Sequence, residues 1–459
     1  MGIRASKQGQ ETFKQARKKK RWNQNADTLL TTSEVERSTV QALEQGRNIK
    51  QENFVALFKA VGIENWEKWV DNSPTQASYM EFSVYGDDWV GRQTLIDELS
   101  KKVRGSCRVL LLVGITGIGK TALAERLVQE LRGDWTEHRH NFEDQNKASD
   151  FASVALQWLE KWMKTVPKDD RKPENLLQRL VTHLCENRYL ILMDSLEYLL
   201  TGNEGDGWGD FADEWWGKFF VHLLAESDCQ SRFIITSQDL PTKFEIECDR
   251  YQHLWYCQLL KGLEVAEQVA LFQKAELEGD LELPHSPLRV IGEVYDGHPL
   301  ALRTIAGEIK GSYGGKVRAY WKDYSRYIEE VKEAIYEARN QGIVKGDQDR
   351  WQLASYTKVL RIKVKERIDT TFERLKNDVY DAYVLLCMAS LYRCEVKETW
   401  WLINLEDEGY NEEQQKAAMQ TLRERYLVED GGIDDEDNRL VGQHNLIRSV
   451  AIAHRLILP

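Results

Sequence analysis

The sequence lacks any apolar run close to the ~20 residues that a membrane-spanning helix needs. Its first ten residues, MGIRASKQGQ, lack the apolar core of a signal peptide. It also lacks a Cys-x-x-Cys pair. These absences argue against a membrane protein, a disulfide scaffold and a zinc site, and they predict a soluble protein of the reducing cytoplasm. The cysteines are scattered: Cys107, Cys185, Cys229, Cys248, Cys257, Cys387 and Cys394.

What is present is a long, globular and unevenly charged chain. Its 459 residues are enough for about three domains. Hydrophobic residues make up 42% and charged residues 30% of the chain. Residues 1–50 hold 11 Lys/Arg and 5 Asp/Glu, a net charge of +6, whereas the whole chain carries −12. A basic head on an acidic body predicts a polyanionic partner for the head alone.

The stretch VGITGIGKTA contains the pattern G-x-x-x-x-G-K-[ST], which is typical of a phosphate-binding loop. The motif has glycines at Gly114 and Gly119, and glycines let the backbone turn with positive φ and approach a ligand closely. Backbone N–H groups at a helix N-terminus form an anion site. Lys120 brings positive charge to the β- and γ-phosphates, and the Thr121 hydroxyl can bind Mg²⁺.

The flanking residues fit this interpretation. Arg108–Val113, RVLLLV, is a short apolar run of the kind found in buried parallel strands. Lys120–Leu131 has apolar residues at helical spacing. The alternative interpretation is that the motif is a glycine-rich turn between a strand and a helix that binds no phosphate.

Four further motifs follow the loop along the chain. An apolar strand ends at Asp194, in the position of the Walker B carboxylate that holds Mg²⁺. Another apolar strand ends in Thr-Ser-Gln, where Gln238 would sense the γ-phosphate. Gly297-His298-Pro299-Leu300 precedes a helix, and Gln443-His444-Asn445 follows the last strand pattern. Upstream of the loop, Val90-Gly91-Arg92 has the apolar-Gly-Arg step of AAA+-like NTPases.

The order and spacing of these motifs resemble the NB-ARC branch of the STAND NTPases, from about Asp87 to Pro459. The resemblance implies that the chain binds ATP or ADP with Mg²⁺. Pro299 would pack on the adenine, Arg92 would lie near the base, and His444 would reach the β-phosphate of ADP. Pro299 also fits a helix N1 position, and His444 also fits a helix cap. The residues implied to bind the nucleotide are Val90, Gly91, Arg92, Gly114, Gly117, Ile118, Gly119, Lys120, Thr121, Ala122, Pro299 and His444, with Thr121 and Asp194 at the metal.

The sequence departs from that family at three positions. Ser195 stands where a second acid often follows the Walker B aspartate, and Glu197 could orient water in its place. Gln238 stands where the sensor is usually arginine, so it adds no charge. The third residue of the histidine motif is Asn445 rather than aspartate. Because the second acid and the charge of the sensor are both missing, we expect slow ATP hydrolysis, which a nucleotide switch tolerates. The candidate catalytic residues are Lys120, Asp194, Glu197 and Gln238.

The basic head has the pattern of a small helical domain. Helices are predicted over 6–22, 23–31, 33–47 and 50–63. Ser33 with Glu36 fits a capping box, and Gly46 fits the end of the third helix. This pattern resembles the phage-repressor (XRE-type) helix-turn-helix family, without the usual glycine between the second and third helices.

The resemblance implies a DNA-binding surface on the third helix. Val40 and Leu43 would pack inward. The alternative is a protein-interaction domain whose basic run is a solvated face. The residues implied to face bases are Arg37, Ser38, Thr39 and Gln41, and those implied to meet phosphates are Lys18, Lys19, Lys20 and Arg21.

The predicted fold is multidomain, α and α/β. An all-α helix-turn-helix head spans 1–71, followed by a linker over 72–86 and a P-loop α/β nucleotide-binding domain over 87–256. A helical domain spans 257–366, and a winged helix spans 367–459 with its wing turn at Asp430–Gly432. Trp208, Trp215 and Trp216 are interpreted as core or interface residues, with an aromatic ligand platform as the alternative.

The function predicted from the residues and the resemblance is an ATP/ADP-dependent switch and slow ATPase. It would form a nucleotide-dependent homo-oligomer, act on duplex DNA through its head and need no membrane. No internal period of 20–50 residues is detected, so the signal would come through another protein or through nucleotide and self-assembly. The alternatives are an ATP-driven scaffold whose head recruits a protein, and a fast ATP hydrolase, against which Ser195 and Gln238 argue.

If the head binds duplex DNA through phosphates, the affinity of residues 1–70 for mixed-sequence DNA should fall steeply with salt, because bound counterions are released. Replacing Lys18, Lys19, Lys20 and Arg21 together should weaken binding to every sequence and flatten that slope. Replacing Arg37 and Gln41 should mainly relax sequence preference. A titration at two salt concentrations measures both effects, and an absence of binding at the lower salt would rule out the DNA interpretation.

Overall fold

A computed structural model represents the protein, and it divides into two compact units, Met1–Tyr79 and Met80–Pro459. The boundaries predicted within these units, at 71, 86, 256 and 366, stay predictions. The structure describes residues 2–3, 7–20, 35, 39–40, 43, 49–63, 66–69, 89–143, 148–163, 166–203, 207–241, 248–277, 285–341, 355–434 and 436–458.

The first unit has a small aromatic core. Its described elements are β1 Gly2–Ile3, α1 Lys7–Lys19, β2 Ile49–Lys50, α2 Gln51–Ala60 and a 3-10 turn over Trp66–Trp69. Phe54 and Phe58 of α2 stack at 4.5 Å between ring centroids, and Phe13 of α1 lies 5.5 Å from Phe58. Val40 and Leu43 are fully buried in the same cluster. Stacked aromatic side chains of this kind supply much of the burial available to a small domain.

The helices observed in this unit correspond to the first and fourth predicted helices. The second predicted helix and most of the third lie outside the described residues. The antiparallel pairing of β1 with β2, which joins Ile3 to Ile49, was not predicted. A two-residue pair has too little alternating pattern to be recognised in a sequence.

The second unit is built around a parallel sheet. Its strands are β3 Val109–Val113, β4 Thr136–Asn141, β5 Tyr189–Asp194, β8 Arg232–Ser237 and β9 Trp255–Leu259. Across the sheet the order is β4–β5–β8–β3–β9. All pairs are parallel, so the carboxyl ends of the strands meet at one edge. The strand that precedes the glycine-rich loop, β3, lies between β8 and β9, and the Asp194 strand β5 is two positions away.

Helices cover both faces of this sheet because β3 is apolar on both. Leu110 and Leu112 face one apolar core, and Val109, Leu111 and Val113 face the other. This alternation is the period of a strand. Helices α3 Gln93–Arg104 and α4 Lys120–Glu130 pack on the first face, and α5 Phe151–Met163, α6 Pro173–Glu186 and α7 Glu214–Ala225 pack on the second.

A hairpin and α7 follow the Asp194 strand. The hairpin pairs β6 Leu200–Asn203 with β7 Gly207–Phe211. Trp216 of α7 is 1% exposed and makes edge contacts with Phe142 and Phe151 at 5.6 and 5.4 Å. Trp216 is therefore a core residue rather than part of a ligand platform. The side chain of Trp208 lies outside the described residues.

Helices follow the sheet along the chain and extend the first apolar core. They are α8 Val265–Lys274, α9 Pro287–Val294, α10 Pro299–Tyr313, α11 Val317–Gln341 and α12 Ser355–Asp378. Ile291, Ile305, Val331 and Ile368 belong to the same core as Leu110. This shared core fixes the helices against the sheet face that carries the glycine-rich loop and α4.

The C-terminal part combines short helices with an antiparallel sheet. Its helices are α13 Tyr380–Met388, α14 Glu398–Asp407, α15 Glu412–Glu424 and α16 Asn445–Arg455. The strands are β10 Val396–Lys397, β11 Glu429–Ile433 and β12 Arg439–Gly442, in the order β10–β12–β11. Over the described ranges, no helix combines the length and apolar character that crossing a bilayer requires.

The turn between β11 and β12 differs from the prediction. Asp430–Gly432 lies within β11, where the pairing shifts and Gly432 has a φ of 84°. The chain turns instead at Asp434, whose carboxylate accepts from the backbone N–H groups of Glu436 and Asn438 at 2.9 and 2.8 Å. A glycine with positive φ can form a bulge as readily as a turn, and an aspartate that bonds the backbone ahead of it forms the turn here.

A buried ion pair joins α10 to α12. Glu308 and Arg367 are both fully buried and bond directly. The Thr371 hydroxyl donates to the same carboxylate at 3.2 Å, and the Arg367 guanidinium lies 5.0 Å from the Tyr324 ring centroid. The pair therefore depends on α10, α11 and α12 keeping their packing.

Glu308→Ala should lower the free energy of unfolding by about 3–5 kcal/mol, because it leaves the Arg367 charge buried without its partner. Urea or thermal unfolding measures the loss. The double variant Glu308→Leu with Arg367→Met is the matched control and should recover much of it. A single variant as stable as the wild type would contradict this account.

Candidate functional site

The loop between β3 and α4 is shaped by two glycines in the left-handed region. Gly117 has a φ of 81° and Gly119 a φ of 91°. A Cβ on Gly117 would lie 2.8 Å from Cε1 of His298, closer than side chains pack. Gly119 is the N-cap of α4. The loop therefore needs glycine at both positions, and it ends at a helix N-terminus, where anions bind.

Protein donors reach every carbonyl group from Gly114 to Gly119. Nζ of Lys120 donates to the carbonyls of Gly114 and Ile115 at 2.8 and 3.2 Å. Nε2 of His298 donates to the Thr116 carbonyl at 3.1 Å, and the backbone N–H of Leu300 donates to the Gly117 carbonyl at 3.4 Å. The Arg92 guanidinium donates to the carbonyls of Ile118 and Gly119 at 2.8 and 3.4 Å. In a trans peptide the N–H points opposite to the C=O. The N–H groups that follow these carbonyls therefore point away from the donors.

The carboxyl edge of the sheet brings three oxygen-bearing side chains together. Oδ1 of Asp194 accepts from the Thr121 hydroxyl at 2.9 Å and from the Thr236 hydroxyl at 2.5 Å. The Thr236 oxygen in turn accepts from the backbone N–H of Ser195 at 2.9 Å. Asp194 and Thr121 come from different elements, β5 and α4. Their contact is the arrangement in which a hydroxyl and a carboxylate can share a divalent cation.

Ser195 has a φ of 63° and starts a 3-10 turn that carries Glu197 inward. Glu197 is 5% exposed, and its carboxylate accepts from the backbone N–H of Gln238 at 3.3 Å. Burial raises the pKa of Glu197 and the positive charge of Lys120 lowers it, with a net rise. The side-chain oxygen of Gln238 is buried without a hydrogen-bond partner among the described residues. The structure thus brings Lys120, Asp194, Glu197 and Gln238 to one edge.

The Arg92 side chain hydrogen-bonds the backbone of the loop. Its guanidinium donates to the Lys261 carbonyl at 3.0 Å, besides the carbonyls of Ile118 and Gly119. Its backbone N–H donates to Glu267 of α8. Burial lowers the pKa of Arg92 to about 10. Arg92 was expected near the base; in the structure it contacts loop backbone, and Gly91 before it lies against the Glu267 carboxyl.

The start of α10 contacts the loop through a histidine that the sequence analysis did not single out. His298 is fully buried, its Nδ1 accepts from the backbone N–H of Ala301 at 3.3 Å, and its Nε2 bonds the Thr116 carbonyl. These two bonds require the neutral ring with its proton on Nε2. Burial lowers the pKa of His298 to about 4. Pro299 occupies the N1 position of α10.

His444 is the N-cap of α16. Its Nδ1 accepts from the backbone N–H of Leu446 at 3.1 Å. Burial lowers the pKa of His444 to about 3, and the positive charge of Lys120 acts in the same direction. The next residue, Asn445, donates to the Glu143 carboxylate at 2.6 Å. The N-terminus of α16 is thereby joined to the chain that follows β4.

An ion-pair network that the sequence analysis missed lies beside Asp194. Arg139 of β4 pairs with Glu125 at 2.8 Å and with Asp194 Oδ2 at 3.5 Å. Glu125 is 3% exposed, and burial raises its pKa to about 8 even though Arg139 opposes the rise. A glutamate among the apolar positions of α4, between Leu123 and Leu127, was the available signal. Its partner on β4 could not be identified from the sequence.

The predicted DNA-binding residues are only partly described. Lys18, Lys19 and Lys20 are exposed at the end of α1, and Nζ of Lys20 donates to the Ala60 carbonyl at 2.8 Å. Thr39 is partly exposed beside the buried Val40. Lys18, Lys19, Lys20 and Thr39 remain predictions. The other predicted contacts lie outside the described residues: Arg21, Arg37, Ser38 and Gln41.

Metal ligation at this site would rest on few protein groups. Within the described ranges, no three His, Cys, Asp or Glu side chains are grouped so that they could hold a metal ion. Thr121 and Asp194 together fit a cation that is also bound by phosphate oxygens, the usual situation for Mg²⁺. Val90, Ala122 and Pro299 are partly exposed around the loop.

No family model matches the chain. An uncharacterized WD repeat-containing protein of Nostoc sp. is 24% identical over 387 residues, 73% of this chain and 29% of that protein. The Pyrococcus horikoshii STAND protein with a tetratricopeptide repeat sensor matches 79% of this chain and 42% of its own, at 14% identity and a TM-score of 0.45. The chain therefore spans less than half the length of both proteins.

Two shorter structures are also similar. The Walker-type ATPase of Pyrococcus abyssi covers 83% of this chain and 99% of its own, at 13% identity and a TM-score of 0.33. The Aeropyrum pernix ORC2 protein covers 82% and 98%, at 14% identity and a TM-score of 0.32. All three TM-scores lie below 0.5, so these likenesses carry no weight for the function of this chain.

Acid should destabilise the protein partly through His298. Its pKa is about 4 when folded against 6.5 for the free side chain, so the unfolded chain takes up the proton first as the pH falls. The wild type should lose about 2 kcal/mol between pH 7.5 and pH 5 from this group alone. His298→Asn keeps a capping side chain but does not titrate. Urea unfolding at both pH values should therefore show a smaller acid loss in the variant, and equal losses would contradict the assignment.

Proposed function

We propose that this chain is a nucleotide-dependent switch: a slow P-loop ATPase of the STAND type whose shape depends on whether ATP or ADP is bound. The observation that supports this best is the set of donors on the phosphate loop. Besides the loop's own Lys120, they come from Arg92 before α3 and from His298 and Leu300 at α10. A change in the loop conformation on phosphate binding would therefore alter the contacts of segments that are distant in the sequence.

The residues of the site fit a nucleotide with Mg²⁺. The N–H groups of the loop and Lys120 would bind the β- and γ-phosphates, and Thr121 and Asp194 would hold Mg²⁺. When bound, Mg²⁺ supplies charge neutralisation on the phosphate oxygens. Val90, Gly91 and Pro299 would border the base, and His444 would lie on the phosphate side. Neutral histidine can donate one hydrogen bond to a phosphate oxygen.

Slow hydrolysis follows from the groups beside Asp194. Ser195 carries no carboxylate, and Glu197 is buried with its carboxylate bonded to the backbone of Gln238. Such a group is poorly placed to take a proton from water. Gln238 adds no positive charge opposite a γ-phosphate. We infer a protein that holds its nucleotide for long periods, which suits a switch.

The C-terminal elements support a winged-helix module. A helix pair, α14 and α15, lies between β10 and the β11–β12 hairpin, and the three strands form one antiparallel sheet. We assign residues 367–459 to this module. Asn445 bonds Glu143 beyond the end of β4, and His444 would reach the phosphates, so we propose that this module responds to the nucleotide.

For the output, we propose a helix-turn-helix head that binds duplex DNA, with nucleotide-dependent self-assembly bringing several heads together. The exposed lysines at the end of α1 support it. The second candidate is a scaffold whose head recruits a protein. The bond between Lys20 and Ala60 favours that candidate, because it uses one of the four basic side chains inside the head.

Lys120→Ala should abolish ATP binding, because it removes the charge that bonds the loop and meets the β- and γ-phosphates. Titration with a fluorescent ATP analogue measures binding, and phosphate release by the wild type should stay well below the ~10 s⁻¹ median of enzymes. Lys101→Ala, on the exposed face of α3, is the matched control and should bind normally. Unchanged affinity in Lys120→Ala would refute the nucleotide site, and rapid turnover would favour an ordinary hydrolase.

A further inference from the structure

Arg139 is a partly buried cation beside the site to which the proposed function gives no role. One arm of its guanidinium pairs with Glu125 at 2.8 Å and the other with Asp194 Oδ2 at 3.5 Å. Its side chain is 20% exposed, against 3% and 4% for the two carboxylates. Buried ion pairs contribute little net stability compared with apolar side chains of the same size. The packing of β4 alone therefore does not account for this charge.

The network connects three elements. In the sheet, Arg139 lies opposite Leu192, and Asn141 lies opposite Asp194. The guanidinium thus approaches Asp194 from the neighbouring strand, below the carboxyl edge. Glu125 lies four residues after Thr121, about one turn along α4. Since α4 also carries Thr121, one guanidinium fixes α4 and β5 to each other.

The two oxygens of Asp194 are consequently held by different partners. Oδ1 accepts from Thr121 and Thr236, and Oδ2 faces Arg139. This fixes the plane of the carboxylate and its separation from the Thr121 hydroxyl.

We propose that Arg139 is a positioning residue for Mg²⁺, holding Asp194 and the Thr121 helix in the relative geometry that the ion requires. This inference rests on the proposed nucleotide function. The planar guanidinium reaches both carboxylates at once, which an ammonium group cannot do in the same way. Loss of a group that bonds a metal ligand and orients it usually lowers metal affinity about 10- to 100-fold.

The test is a Mg²⁺ titration of the full-length protein with a fluorescent ATP analogue, compared with binding of the analogue in EDTA. In Arg139→Gln the half-saturating Mg²⁺ concentration should rise about 10- to 100-fold, while binding in EDTA should be unchanged. Arg139→Lys should give an intermediate shift. Glu125→Gln keeps a side-chain oxygen that can accept from Arg139 and leaves the contact between Arg139 and Asp194 in place, so it is the matched control and should titrate like the wild type.

The double variant Glu125→Gln with Arg139→Gln separates positioning from stability. Arg139→Gln leaves the buried Glu125 carboxyl without its ion-pair partner, so replacing that carboxyl as well should restore the thermal midpoint lost in Arg139→Gln, yet the raised Mg²⁺ requirement should persist. The inference is overturned by a wild-type Mg²⁺ requirement in Arg139→Gln, by an equal loss of binding in EDTA, or by recovery of Mg²⁺ affinity in the double variant. Failure of the wild type to bind the analogue in either condition would instead refute the proposed function.

Discussion

The structure depends on the backbone of one loop being held with its carbonyl groups turned toward protein donors. Six consecutive carbonyls, from Gly114 to Gly119, are bonded by Lys120, His298, Leu300 and Arg92. These donors come from three places in the chain: Lys120 at the start of α4, His298 and Leu300 at the start of α10, and Arg92 before α3. A buried backbone carbonyl without a partner is costly, so the loop keeps this shape only while the starts of α3 and α10 stay in place.

That constraint makes the loop a meeting point of segments far apart in the sequence. The glycines at 117 and 119 allow the turn, and the buried His298 ring lies directly against the first of them. Burial keeps His298 uncharged near Arg92 and Lys120. The neutral imidazole therefore donates to the loop without electrostatic repulsion from the Arg92 guanidinium. The site is thus rich in donors, yet its positive charge is concentrated on Lys120 and Arg92, with Arg139 neutralised by carboxylates.

Several features of the site could be predicted from the sequence. The apolar run before Gly114 and the helical spacing after Lys120 are local patterns, and both are observed as β3 and α4. Apolar runs that end at Asp194 and near Gln238 placed both residues at strand ends, and parallel strands bring their ends to one edge of the sheet.

Other features could not be predicted from the sequence, because they join residues from separate elements. Arg139 with Glu125, and Asn445 with Glu143, have no spacing rule that could reveal them. The wing turn was misplaced because a Gly-Gly pair fits a bulge and a turn equally well, and only the pairing of β11 with β12 distinguishes them.

The sequence by itself determined the local elements of the site: a glycine-rich loop between an apolar strand and a helix, acid and amide at strand ends, and a proline and a histidine at helix starts. These depend on backbone preferences and hydrophobic periodicity over a few residues, which any chain of this sequence carries. The tertiary structure alone decided what those side chains do. It turned Arg92 toward the loop carbonyls, buried His298 as a neutral donor and set Arg139 beside Asp194, because burial, charge and hydrogen-bond partners depend on which elements pack together.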